Sequence, residues 1–212
     1  MVMKSDLIAT DRLPDLTFSD NAAAILKKYQ KLEPFLTSDT VSPLKKVRQI
    51  YRFADWVLEK GAVPSKAVCK RGCHHCCYVD VDVSLLEAAY IAQNAPVTQV
   101  MRETRLHSGY HQTRQYCDFL DQKSGECTIY EYRPLACRTF FAFDSPDLCD
   151  TDNGEYPHAI FSAKTHGLIQ SIQQQLFAMG GSRHADIREW FKETTEDPYE
   201  AEISSAFTFN YV

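Results

Sequence analysis

The chain has 212 residues and a mass of 24.2 kDa, long enough to bury a core without help from metal or disulfides. Hydrophobic residues at 44%, charged residues at 24%, and only 8 Gly and 9 Pro exclude collagen-like, disordered and low-complexity classes. A net charge of −5 argues against a general nucleic-acid binder, although 13 basic against 9 acidic residues up to position 80 give way to 10 against 19 beyond it.

The first 20 residues carry Lys4, Asp6, Asp11, Arg12, Asp15 and Asp20 and no apolar run of export-signal length. No stretch approaches 18 consecutive apolar residues, so a cytoplasmic protein without a membrane partner is expected. Residues 20–33 read as a helix, with Asp20 as its cap and Ile25, Leu26, Tyr29 and Leu32 at helical spacing. A better-marked helix follows. Ser42 caps it, Pro43 suits its first position, Leu44, Val47, Ile50, Ala54, Val57 and Leu58 form its apolar stripe, and Gly61 stops it.

After the cysteine-rich stretch 69–77, Val79, Val81 and Val83 alternate with Asp80 and Asp82 as in a short extended piece with one buried face. Ser84 and Glu87 then form a capping box for a helix through Asn94, and Pro96 permits another over about 97–116, bent or broken at Gly109. From Cys117 to Tyr130, two strand-like runs around a Gly-containing turn read as a hairpin that brings Cys117 and Cys127 together. Arg133-Pro134 opens a turn or short helix bearing Cys137, and an Asp-rich loop carries Cys149. Phe161, Thr165, Leu168, Ile172, Leu176 and Met179 mark a long helix ended by Gly180-Gly181, and a final helix over about 183–193 holds Trp190 and Phe191. Phe207, Phe209 and Tyr211 alternate as a strand would, to dock on the core or, as the alternative, on a partner. The expected fold is mainly α with a small, irregular, hairpin-containing cysteine-rich centre. The chain reads as one domain over 1–212: N-terminal helices in 1–65, the cysteine core in 66–150 and C-terminal helices in 151–212.

The abnormal feature is cysteine. All eight fall between Cys69 and Cys149, four of them in nine residues, and in a reducing compartment such clusters are metal ligands or redox groups more often than disulfides. Cys69-x3-Cys73-x2-Cys76-Cys77 sets thiolates on one tight loop, and Cys117, Cys127, Cys137 and Cys149 supply further ligands. Lys66, Lys70 and Arg71 are placed to lower the thiol pKa values. Eight thiolates suit two four-ligand centres, or one centre with four thiols to spare. The adjacent Cys76 and Cys77 would diverge in an extended backbone, which mildly favours different sites or roles. Arg133 and Arg138 flank Cys137 and could donate to cluster sulfurs or to an anionic ligand; the alternative is an ion pair with Glu131 or the Asp-rich loop. His74, His75, His107 and His111 are weaker ligand candidates, because the cysteines already suffice.

These residues carry a resemblance. The first cysteine cluster, then Glu87, Cys117-Asp-Phe-Leu, Gly125-Glu-Cys127-Thr-Ile-Tyr-Glu-Tyr-Arg133-Pro134-Leu-Ala-Cys137-Arg138 and Cys149 resemble the YkgJ-like or CxxCxxCC cysteine-cluster family over about 66–150. That family is described as a zinc- or iron-chelating domain with eight cysteines. The resemblance implies a metal site, with Cys69, Cys73, Cys76, Cys77, Cys117, Cys127, Cys137 and Cys149 as the ligand pool. An iron–sulfur cluster, of [4Fe–4S] type, is favoured slightly over zinc. A related branch contains flagellin lysine N-methylases, which makes a cluster-containing, S-adenosylmethionine-dependent protein methylase the enzymatic alternative; a thiol redox sensor is the third reading. Cys69-x3-Cys73-x2-Cys76 also fits radical S-adenosylmethionine spacing, but the residues after it lack the repeated strand–helix units of that fold.

Overall fold

The computed structural model describes residues 20–95, 100–101, 116–143, 146 and 163–192. Helix α1 (Ala22–Thr37) begins after Asn21 rather than Asp20 and runs through Pro34, four residues past its expected end. Leu36 explains the extension: it is 4% exposed in the core, so its packing outweighs the backbone hydrogen bond that proline forfeits. Helix α2 (Pro43–Lys60) follows its expected limits, with the Ser42 hydroxyl accepting from the Lys45 amide and Gly61 closing its end. Its buried face also takes in Tyr51 and Phe53. Each fully buried large apolar side chain contributes roughly 1.5–3 kcal/mol. The one-turn helix α3 (Val63–Lys66) leads into the cysteine loop.

The valine alternation becomes strand β1 (Asp82–Ser84), and the capping box at the head of α4 (Leu85–Asn94) is complete in both directions. The chain then departs from expectation. Val100–Met101 form strand β2 instead of helix; the rest of the expected 97–116 helix, with His107 and His111, lies outside the described residues. The hairpin is present as β3 (Leu120–Asp121) and β4 (Glu126–Cys127), with Leu120 opposite Cys127. Helix α5 (Leu135–Arg138) is the expected short helix bearing Cys137. Helix α6 (Ala163–Met179) is the expected long one and turns at Gly180. The final helix is corrected. Only α7 (Ile187–Trp190) is helical, between β5 (His184–Asp186) and β6 (Phe191–Lys192).

That correction has a tertiary cause. Strand β5 pairs antiparallel with β1, setting Val83 opposite Ala185, and β6 pairs with β2. Both residues of the first pair are buried with Trp190 and Phe191 in a core that also holds Ile91, Phe119 and Ile129. Partners 90 to 104 residues away in sequence supply strand hydrogen bonds that outweigh a weak local helical tendency. A second core joins α1, α2 and α6. Helix α4 lies between the two cores, giving Leu86 and Tyr90 to one and Leu85, Ala88 and Ile91 to the other. The result is mainly helical with small two-stranded antiparallel sheets. No helix among the described residues is long and apolar enough to cross a membrane.

Candidate metal centre

The cysteine loop owes its shape to backbone bonds and two glycines. Gly72 adopts φ +84°, in the left-handed region, and the Cys73 amide donates to the Lys70 carbonyl at 2.9 Å. A 3-10 turn (His75–Tyr78) then carries Cys76 and Cys77. Gly125, with φ +71°, presses the hairpin turn onto this loop: a Cβ there would lie 2.8 Å from the Gly72 carbonyl oxygen and 3.1 Å from His74 Nδ1. Arg71 and Glu126 pair at 2.9 Å across the same junction. The Cys117 amide donates to the Cys77 carbonyl at 2.8 Å, so the start of the hairpin is tied to the loop at its cysteines.

Six thiols from three segments thereby line one cavity of about 70 Å³: Cys73, Cys76 and Cys77 from the loop, Cys117 and Cys127 from the hairpin, and Cys137 from α5. Val81, Ile129 and Ile187 form apolar wall, and Lys70, Arg71 and Arg133 bring positive charge. Cys69 is not on the cavity lining; its sulfur accepts the Ala142 amide at 3.3 Å and is near enough to Cys73 and Cys76 for their charges to add to burial in raising its pKa. Cys149 lies outside the described residues. The seven described cysteines are all partly buried, and none is in a disulfide. Among the described residues, no three Cys, His, Asp or Glu side chains converge as the ligands of a single ion do.

Cys76 and Cys77 do not diverge. The tight 3-10 turn replaces the extended backbone that would have separated them, and their thiols hydrogen-bond to each other. That bond lowers the Cys76 pKa to about 7 against the opposing effect of burial, helped by the Arg133 guanidinium and by His74. Cys77, the donor, is held well above the ordinary thiol range by the same bond and by burial. Burial pushes Cys117 up to about 12 and also raises Cys69, Cys127 and Cys137.

Of the cations expected at the thiols, Lys70, Arg71 and Arg133 line the cavity, and they do not act alike. Arg71 is committed to Glu126, whereas Arg133 favours the thiolate at Cys76, Cys127 and Cys137. Arg133 lies 3.6 Å over the Tyr130 ring and donates to the Tyr130 carbonyl at 3.1 Å, which holds its charge at the cavity wall. Arg138 does not share this role. Its Nη1 donates to both Asp55 carboxylate oxygens at 3.1 and 2.9 Å, its Nε to the Arg133 carbonyl, its Nη2 to the Glu131 carbonyl, and its guanidinium covers Tyr51. The partner is Asp55, 83 residues away, rather than the Glu131 side chain or the Asp-rich loop. His74 and His75 stack on each other, and His74 Nδ1 sits 3.3 Å from the Gly72 carbonyl. Phe207, Phe209 and Tyr211 lie outside the described residues.

Two elements of the surroundings were not legible as such. Glu87, read as a capping residue and as part of the family resemblance, is 1% exposed and accepts from Tyr51 Oη, the Leu135 amide, the Ser84 amide and Ser84 Oγ. Arg188 is 8% exposed and bonds Asp80 at 2.7 Å and Asp186 at 2.6 and 2.8 Å, close enough to Cys117 to favour its thiolate. Their partners are 36 to 108 residues away apart from the local ones, beyond the reach of any spacing rule.

Residues 68–158, a span containing all eight cysteines, match the model of the CxxCxxCC family, described as "Putative zinc- or iron-chelating domain". The matched segment is under half of the chain, and what the match supports is metal chelation as a class of function. No curated protein and no solved structure matches the chain.

Proposed function

We propose that the cavity holds a polynuclear iron–sulfur centre and that the chain is a metal-binding accessory or electron-storing module. The ligands would come from Cys73, Cys76, Cys77, Cys117, Cys127 and Cys137, with Cys69 and Cys149 in the same pool. One observation carries this reading: six thiols surround a single cavity, two more than a mononuclear zinc site takes. A mononuclear zinc site draws four thiolates to about 2.3 Å from one ion, hence about 3.8 Å from each other. A polynuclear core spreads its thiolates, because each binds a different metal atom. The donor set fits, being all soft sulfur without a carboxylate facing inward unpaired, since Glu126 is taken by Arg71. Arg133 fits as well, since it offsets the negative charge of a thiolate-bound cluster.

A bound cluster would supply one-electron storage. The chain's own contribution is to keep its sulfurs spaced, partly buried and near a fixed cation. The helices of 1–65 and 151–212 frame the 66–150 core within one domain, a reading supported by the Arg138–Asp55 tie and the β1–β5 pairing. The test is anaerobic purification with iron, sulfide and zinc counted per chain alongside the visible spectrum. Iron and sulfide with a thiolate-to-iron absorption band are expected. Colourless protein carrying zinc would refute the cluster reading, and metal-free folded protein would refute metal binding altogether.

An enzymatic role is supported by one feature. An open groove of about 530 Å³, lined by Arg71, Cys127, Thr128, Tyr130, Glu131 and Tyr132, shares Cys127 with the cavity and has the size of a small-molecule site. Under this reading S-adenosylmethionine raises the melting temperature of the metal-loaded protein. Absence of a shift counts against it.

A further inference from the structure

Cys137 reaches the cavity from α5, a helix of four residues. So short a helix does not hold itself in place, since nucleation costs more than one turn of hydrogen bonds returns. Its position must come from outside. Leu135, 1% exposed, seats it in the core, the Glu131 carbonyl accepts from Arg138 Nη2, and further polar ties come from helices α2 and α4. At its C-terminal end Arg138 pairs with Asp55, whose side chain is 50% exposed, so solvent weakens that tie. At its N-terminal end the Leu135 amide donates to Glu87 Oε1 at 2.8 Å, in an environment where Glu87 is 1% exposed.

The two oxygens of Glu87 do different work. Oε2 completes the capping box, accepting from the Ser84 amide at 3.1 Å and Ser84 Oγ at 2.9 Å. Oε1 has no part in that box. It reaches across to α5 at Leu135 and to α2 at Tyr51 Oη, 3.2 Å away. Burying a carboxylate is costly, and a neutral glutamine also serves a capping box. What glutamine cannot do is accept on both sides, because each side holds a backbone N–H, of Ser84 or of Leu135, and an amide NH2 would meet one of them donor to donor. A full carboxylate is needed only because helix start and α5 must be held together.

We infer that Glu87 is the positioning residue for Cys137, setting the place of α5 so that this thiol enters the shared ligand set. The inference rests on the metal-centre reading and names the group that completes it. Loss of an outer partner of a metal ligand weakens the hold on metal by about 10- to 100-fold. Here that loss should fall on one cysteine of the six.

The test uses the full chain, reconstituted anaerobically with Fe(II) and sulfide and, in parallel, with Zn(II), then alkylated with iodoacetamide and mapped cysteine by cysteine by mass spectrometry. In the wild type, metal protects the cavity thiols, Cys137 included. In Glu87→Gln, Cys137 should lose its protection selectively, its alkylation rising about tenfold or more, while Cys76 and Cys127 stay protected. Glu87→Asp keeps the charge but withdraws the carboxylate by one methylene; it should give the same selective loss, and it decides the matter if the glutamine variant fails to fold. Ile25→Ala, a core truncation on α1, supplies a matched loss of melting temperature and should leave Cys137 protected. Cys137 as well protected in both Glu87 variants as in the wild type overturns the inference. So does an equal loss at every thiol that Ile25→Ala reproduces. Wild-type protein with no thiol protected by either metal overturns the metal-centre reading itself, and the inference falls with it.

Discussion

Replacing Cys77 by alanine removes the donor that makes Cys76 acidic, and the size of the effect follows from the pair. The first proton leaves it near pH 7, mainly because the Cys77 thiol hydrogen-bonds to the Cys76 thiolate, so about half of Cys76 is thiolate at neutral pH. Without the donor, the pKa should return toward the ordinary thiol value of about 8.5, leaving about 3% thiolate at pH 7, roughly a sixteenfold loss. The remaining thiolate is more basic and therefore more nucleophilic, by about four- to sixfold for attack on a disulfide. The two effects oppose, and ionisation wins: reaction with a small disulfide reagent at pH 7 should slow about three- to fourfold. The sign is fixed, since a raised pKa moves the reactive window to higher pH. The assay is the pH dependence of Cys76 modification in metal-free protein, quantified by peptide mass spectrometry. The midpoint should move up by about 1.5 pH units in Cys77→Ala. A midpoint that stays near 7 would refute the hydrogen bond as its cause.

Arg133→Gln should raise the same midpoint by less than Cys77→Ala does, because the guanidinium is the smaller of the two influences on Cys76; an equal or larger rise in the same titration would reverse that ranking. Arg188→Met leaves Asp80 and Asp186 in their partly buried positions without the cation they share, and should cost about 3–5 kcal/mol. At about 2–4 °C per kcal/mol for a chain of this size, that is a fall in melting temperature of about 6–20 °C, read by calorimetry. Gly125→Ala and Gly181→Ala both place a side chain at positive φ, each at about 1–2 kcal/mol. Only the first also drives a Cβ to 2.8 Å from the Gly72 carbonyl, so Gly125→Ala alone should lower metal content per chain. Equal metal content in the two variants would show that the contact between hairpin turn and cysteine loop does not shape the centre.

Much of the frame was legible in local spacing. Helix α2 follows from a serine cap, a first-position proline, an apolar stripe and a terminal glycine, all within one helix length, and the capping box at Ser84 and Glu87 is a four-residue signal. The hairpin that carries Cys127 toward Cys117 is equally local. Where the reading departed from the structure, partners distant in sequence decided. Residues 184–186 and 191–192 are strands because β1 and β2 offer them hydrogen bonds and a shared core. Cys76 and Cys77 are the local exception: they converge because the Cys77 amide bonds the His74 carbonyl, three residues back, and tightens the turn.

By itself the sequence determined that eight thiols occupy 81 residues in an order that specifies metal binding, because ligand type and loop spacing are properties of short segments. It also determined which of those thiols ride on a loop, a hairpin and a short helix. Only the tertiary structure decided that six of them face one cavity and that the Cys69 sulfur accepts the Ala142 amide. The cation was decided there too: Arg133 faces the thiols while Arg138 serves Asp55. So was the double duty of Glu87. Convergence of groups 36 to 83 residues apart depends on how helices and hairpin pack, and side-chain packing is a sum over the whole core that no local spacing encodes.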